Sequence, residues 1–509
     1  MRQGARAGFA GRKRNPSTPR GRLIALSVLT SLCVAPSQGV CQELTPRAIA
    51  AVRLKADPAV ACVFISRSPI YQRLGQAPAD AARGKLGRFA PRDLDRWPGL
   101  SRAERELLRE RLDLGDPRHV PETSCGAVVL DEKGLLLTNY HDIRGAAKLF
   151  VRLSDGAGSY ADIHAADPRS DLAILRLLDV DKPLTPLRLG SSGPLKRGQT
   201  LIGLSAPFAP GPRAAKASMA LATVDGWRRR MLNVHADEDN GKWLHQFGSL
   251  LHLEAPARFG PSGTALLDEA GLLVGLVTAG PGIVGDPSGA FAVPMDARFR
   301  PIVETLLRGE EVEYGFLGIG LSEHAFGKGV MVKDVYGGSP AEAAKLQDGE
   351  RIVAVDGEKV DNNDDLFFLL GGRLAGAEVK LRVTRPGLAA RSVEVTLAKL
   401  WTAPAAIVSS LGKRPFRRGL RVDDASILVQ QLARWLSIPR GVVITDVEPG
   451  SAADGAMLKV GDVVTRVGAE AVATPAEFYR AIDAAKGPVE LTLYDAARGA
   501  PGPKVTLKE

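Results

Sequence analysis

The sequence predicts a mainly β protein, with a barrel- or sandwich-type domain followed by two small tandem modules. Two patterns point there. From Cys125 to about Met295, short apolar runs recur between Gly, Pro and Asp turns with no intervening helices, which indicates an all-β barrel or sandwich. The remaining chain repeats itself. Val335-Tyr336-Gly337-Gly338-Ser339-Pro340-Ala341 returns 112 residues later as Val447-Glu448-Pro449-Gly450-Ser451-Ala452-Ala453. Leu346, Gly349 and Val355 return as Leu458, Gly461 and Val467 at the same offset. Such self-similarity marks a duplicated module, and two copies are too few for a solenoid. A chain of 509 residues, 45% hydrophobic and 24% charged, has room for two to four domains with their own cores.

The elements follow in order. Residues 1–41 carry seven positive charges and no acidic residue, and Leu23 to Ala35 is a short apolar run. A basic stretch before such a run is the pattern of a secretory signal, and the run is too short to span a bilayer, which takes about 20 residues. Removing those seven charges from the formal net charge of +10 leaves +3. The composition therefore gives no reason to expect a nucleic-acid partner. Export makes a Cys62–Cys125 disulfide chemically allowed, and two buried thiols on neighbouring strands are the alternative.

Residues 42–120 hold a helix over Thr45–Lys55, a strand over Ala59–Ile65 and an inserted polar stretch. The stretch contains a helix opened by the capping box Ser101-Arg102-Ala103-Glu104 and ending near Leu112. The charges of this helix suit a solvated surface, and a role in covering a site or contacting another subunit is the alternative. Strands are expected at Ala127–Leu130, Leu135–Thr138, Lys148–Leu153, Ala173–Leu177, Thr200–Leu204, Leu250–Leu253, Thr264–Leu267, Leu272–Thr278 and Ala290–Val293, followed by a helix at Pro301–Leu307.

Three of these runs are flanked at one end by residues with chemistry. Leu135–Thr138 leads into Asn139-Tyr140-His141-Asp142. Asp167-Pro168-Arg169-Ser170-Asp171 leads into Leu172-Ala173-Ile174-Leu175. Gly260-Pro261-Ser262-Gly263 precedes Thr264–Leu267. Alone, each reads as a turn or a cap. Together, in the order His, Asp, Ser, they supply a base, a carboxylate to orient it and a hydroxyl nucleophile, the three roles that acyl transfer needs.

The chain resembles the HtrA/Deg-type serine proteases from roughly residue 122 to 500. The resemblance is carried by Gly134–His141, Asp167–Leu175, Gly260–Gly263, Phe291-Ala292-Val293-Pro294, Gly315–Gly318 and the two Gly-Ser-(Pro/Ala)-Ala stretches. It implies a chymotrypsin-like double β-barrel over residues 121–308 and α+β PDZ domains over 312–400 and 415–509. It implies His141 as base, Asp171 as its orienter and Ser262 as nucleophile. The backbone N–H groups of Gly260 and Ser262 would form the oxyanion hole. Phe316, Leu317, Gly318 and Ile319 would receive a peptide C-terminus, with Asp364 to Leu370 walling that groove and Pro475 to Ala485 walling the second.

No metal or organic cofactor is implied. The expected partners are unfolded or misfolded polypeptides and protein C-termini in the periplasm or cell envelope, without a stable membrane span. Assembly into trimers or multiples of them is the family's habit. Val277, Thr278 and Ala279 are expected to edge a pocket for small or medium apolar side chains. Two residues near Ser262 depart from the family pattern: Pro261 replaces Asn or Asp, and Thr264 replaces a second Gly; the family's Asn before the proline of its substrate-side loop is also absent, where this chain reads Ser205-Ala206-Pro207-Phe208. Either Pro261 or Thr264 could tilt the Gly260 N–H out of the hole. They keep open the alternative of a weak or inactive protease-fold scaffold that binds peptides through its PDZ domains.

Overall fold

The computed structural model describes residues 44–508 apart from 76–79, 81–82, 206–216, 231–243, 257–258, 280–288, 323–327, 386, 402–407, 412–413, 432–440 and 496–499. The expected signal segment and the loop beyond Ser205 lie outside the described residues.

The first barrel comprises β1 (Val60–Ser66), β2 (Thr123–Val129), β3 (Leu135–Asn139), β4 (Lys148–Leu153), β5 (Gly158–Asp167) and β6 (Leu172–Leu177), paired in the order β5-β4-β1-β2-β3-β6. β5 also pairs with β6, so the sheet closes. Every residue of β1 is buried, because it lies between β2 and β4 and carries the apolar run Val-Ala-Cys-Val-Phe-Ile. The second barrel closes in the order β10-β11-β12-β9-β8-β7. It comprises β7 (Thr200–Ser205), β8 (Ser218–Arg229), β9 (Leu250–Glu254), β10 (Ala265–Leu267), β11 (Leu273–Ala279) and β12 (Gly289–Pro294). The fold is therefore the double β-barrel of the chymotrypsin class. Cys62 and Cys125 lie on adjacent strands as free, buried thiols.

The helix before β1 runs Pro46–Ala56 with Thr45 as its cap, and the surface helix runs Arg102–Leu112 with the Ser101/Glu104 capping box formed. The second helix is largely solvated. It buries Leu112 in a small satellite core with Tyr71, Phe89 and Leu94.

Two sheets follow the barrels. The first runs β14 (Ile319–Leu321), β15 (Val330–Val335), β16 (Arg351–Val355), β18 (Glu378–Thr384), β19 (Arg391–Thr396), with β17 (Glu358–Lys359) beside β16. The strands β13 (Gly315–Phe316) and β20 (Ala398–Lys399) pair separately. The linker strand β21 (Val408–Ser409) returns to pair with β5 of the first barrel. The second sheet repeats the first: β22 (Leu420–Asp424), β23 (Val442–Val447), β24 (Val463–Val467), β26 (Val489–Asp495), β27 (Ala500–Leu507), with β25 (Glu470–Ala471) beside β24. The repeated Gly-Ser motif has a local cause. Ser339 and Ser451 each cap a short helix, accepting from the N–H of Glu342 and of Asp454. The groove helices run Asn363–Leu370 and Pro475–Ala484.

The first of these modules is packed on the barrels. Phe367 of its groove helix stacks on Phe247 with ring centroids 4.5 Å apart, and Arg298 lies 3.9 Å over the Phe368 ring. The Tyr314 hydroxyl donates to the Asp167 carboxylate, and the Arg169 guanidinium lies 4.7 Å over the Tyr314 ring.

Candidate active site

Strand register brings His141 and Asp171 together. Asn139 of β3 pairs with Leu172 of β6. His141 stands two residues past one strand end and Asp171 one residue before the other. The Asp167–Asp171 loop is shaped by Asp167, whose carboxylate accepts the N–H of Ser170 at 2.9 Å. Asp171 itself adopts φ +58°, a left-handed conformation that costs a non-glycine residue free energy and that Asp tolerates better than most.

The reward for that backbone is a fully directed carboxylate. Oδ2 of Asp171 accepts from the His141 Nδ1–H at 2.8 Å, from the Thr278 hydroxyl at 2.6 Å and from the Asn139 amide at 3.2 Å. Oδ1 accepts from the His141 backbone N–H at 2.8 Å. The side chain of Asp171 is completely buried. Burial raises its pKa, but the adjacent His141 charge and these hydrogen bonds outweigh it and hold the carboxyl below its usual range. Thr278 belongs to the second barrel, where β11 and β12 lose register between Val277 and Ala279. That irregularity aims the hydroxyl across the cleft.

Sequence reasoning gave Thr278 a place at the pocket edge and missed this bond, because its partner lies 107 residues away in the chain. It also missed His245, which is buried, with Nδ1 2.8 Å from the Ser249 hydroxyl. Burial lowers the His245 pKa to about 4 despite the nearby Asp171, so the ring stays neutral beside the pair.

Ser262 sits where the barrels touch. Its carbonyl accepts from the Gly126 N–H of β2 at 2.8 Å, and the Gly263 N–H donates to Val277 at 2.9 Å. Gly126 and Gly263 meet backbone to backbone. A Cβ on Gly263 would stand 1.9 Å from the Gly126 oxygen, and one on Gly126 would stand 2.6 Å from the Gly263 oxygen. Any side chain at either position would push the turn away from β2. Gly260 has φ +128°, which an L side chain rarely adopts. Among the described residues, the N–H groups of Gly260 and Ser262 donate to no backbone acceptor.

The two departures in this turn close on each other. The Thr264 hydroxyl and N–H both donate to the Pro261 carbonyl, at 2.6 and 3.3 Å.

The segment Phe316–Ile319, expected to receive a peptide C-terminus, is held by the following bonds. Phe316 and Leu317 are buried, and the Leu317 carbonyl accepts from Ala341 at 2.9 Å. The Gly318 carbonyl accepts from Tyr336 at 3.0 Å and from the Ser339 hydroxyl at 3.2 Å. Ile319 then begins the edge strand β14. The second module differs at the matching edge. There the Val422 N–H of β22 donates to the Tyr479 hydroxyl of the helix beside it at 3.4 Å. Phe367 stands 112 residues earlier, has no hydroxyl and is stacked on Phe247 instead.

Residues 125–276 match the trypsin-like peptidase domain family, and residues 315–397 match the PDZ domain family. The chain is 28% identical over 406 residues to the "Probable periplasmic serine endoprotease DegP-like" of Pseudomonas fluorescens, covering 76% of this chain and 80% of that protein. It is 27% identical over 483 residues to the protein of the same description in Chlamydia trachomatis, covering 90% and 89%. It is 31% identical over 303 residues to "Protease Do-like 1, chloroplastic" of Arabidopsis thaliana, covering 55% and 65%. The domain matches fall on the two barrels and the first sheet beyond them, and with these relatives they show a trypsin-like serine endoprotease of HtrA/DegP-like type with a PDZ domain.

Proposed function

We propose that Ser262 attacks the scissile carbonyl while His141 Nε2 takes its proton, and that Asp171 fixes the imidazole and stabilises the imidazolium. The N–H groups of Gly260 and Ser262 receive the developing oxyanion. His141 then returns the proton to the leaving amine, and water repeats the sequence on the acyl-enzyme. The observation that carries this reading is the Asp171 carboxylate, buried and directed by four donors at the His141 ring.

The substrates are unfolded or misfolded polypeptides of the bacterial envelope, cleaved without ATP by the exported protein after loss of residues 1 to about 41. The loop Phe316–Ile319 of the first PDZ module captures their C-termini by carboxylate binding and strand addition to β14. Two things support this: the relatives are described as periplasmic, and β14 lies at a sheet edge. Protomers assemble through the barrels. The test is degradation of casein by wild type and by Ser262→Ala. The reading predicts loss of at least about 10⁴-fold with an unchanged melting temperature. Cleavage by the alanine variant at the wild-type rate rejects it.

A further inference from the structure

The nitrogen of His141 that faces away from Asp171 has a carboxylate of its own. Asp142 Oδ1 stands 3.5 Å from Nε2, and the two side chains are only 18% and 12% exposed. Asp142 follows His141 directly in the short helix Tyr140–Ile143, whose backbone is braced from outside. The Arg67 guanidinium donates to the Asp142 carbonyl at 2.5 Å, to the Arg144 carbonyl at 3.0 Å and to the Thr123 hydroxyl of β2 at 3.2 Å. The brace ties the helix that carries Asp142 to the first barrel.

We propose that Asp142 is a positioning residue of this site: its carboxylate engages Nε2, the nitrogen that must take the nucleophile's proton, and so competes with Ser262 for the imidazole. The proposal rests on the triad reading above. Two carboxylates then flank one ring, Asp171 at Nδ1 and Asp142 at Nε2. Among the described residues, the other charged or titratable groups that act on the ring are Arg144 at the end of its own helix and the neutral His245. Cys125 of β2 faces Asp142, whose charge adds to burial in raising the thiol's pKa. Burial alone would lower the His141 pKa and Arg144 opposes protonation, but Asp171 and Asp142 outweigh them and raise it to about 9.

The consequence concerns the proton. With its pKa raised to about 9, the ring favours the imidazolium at neutral pH, and Asp142 Oδ1 stands 3.5 Å from the Nε2 that then carries a proton. Attack by Ser262 requires that this proton first leave to solvent. The Nε2 lone pair can then accept the serine proton as the Oγ–carbon bond forms. Asp142 thus sets the pH at which the base becomes available. Because it also makes the ring more basic, it favours proton transfer once the ring is neutral.

The experiment compares wild type, Asp142→Asn and Asp142→Glu across pH. In the asparagine variant the acid limb of kcat/KM moves down by about one unit, since a lost carboxylate no longer favours the charged ring. The variant is several-fold faster at pH 7 and slower than wild type above both limbs, where the more basic imidazole wins. The glutamate variant keeps the limb near its wild-type position. In the Ser262→Ala background, the NMR titration midpoint of His141 moves down with Asp142→Asn. An unmoved midpoint, or a uniform loss of rate with an unmoved limb, overturns the proposal. A failed triad reading has a different signature. Ser262 then takes no fluorophosphonate at any pH in wild type or variant, while the NMR midpoint still reports whether Asp142 acts on His141.

Discussion

The two barrels contribute to the site in different ways. The first holds the proposed base: His141 and Asp171 are joined by strand register and by bonds from Asn139 and the His141 backbone, all from the first barrel. The second holds the proposed nucleophile, whose position depends on contact with its neighbour. Ser262 is fixed by a backbone bond to Gly126 and by two glycines in van der Waals proximity. One hydroxyl, Thr278, crosses back to the base. The difference teaches that the base should survive disturbances that displace the nucleophile, and that the state of the inter-barrel seam controls activity.

Gly126→Ala should break the comparison most severely. Its Cβ would meet the Gly263 oxygen at 2.6 Å, and the backbone cannot yield as a side chain can. Overpacking of this kind costs about 1–3 kcal/mol. A displacement of the nucleophile by about 1 Å costs on the order of 100-fold in kcat/KM. The His141 titration should remain at its wild-type midpoint. A midpoint that moves with the rate would show that the base also depends on the seam.

Thr278→Val probes the seam from the other side. It removes a charge-assisted donor from a buried carboxylate, worth about 1.5–3 kcal/mol. The expected effect is a fall in kcat/KM of on the order of tenfold, carried by kcat, with a lower His141 midpoint at most as a secondary change. Unchanged kcat would mean that Asn139 and His141 suffice to hold Asp171.

Thr264→Val is the smallest change. It deletes the hydroxyl bond to the Pro261 carbonyl while keeping the shape of the side chain. Denaturant unfolding should show a loss of about 1 kcal/mol, and turnover should fall by only a few-fold. A rise in turnover would show instead that Thr264 restrains the oxyanion donors.

The parts of this site that the sequence reveals are those fixed by local structure. Each proposed triad member lies beside one end of a strand whose apolar run is visible, and the Gly-Ser caps expose the duplicated modules. The strands Gly158–Asp167 and Ser218–Arg229 are not among the expected runs. In Gly158–Asp167 the charged and polar Asp162 and His164 interrupt the apolar pattern, and in Ser218–Arg229 the Asp225-Gly226 pair does so. Thr278, His245 and the approach of Asp142 to Nε2 depend on barrel closure and helix direction, which spacing along the chain does not encode. The two-residue strand Val408–Ser409 is too short to carry any periodicity, and only its pairing with Ala165 and Ala166 reveals it.

The claim that Ser262 is an activated nucleophile is tested most directly by reacting the purified full-length protein with a fluorophosphonate and mapping the adduct by mass spectrometry. The account predicts a single phosphonylated serine at 262, formed faster as pH rises toward 9 and absent in His141→Ala. An adduct elsewhere, or none at any pH, would contradict it.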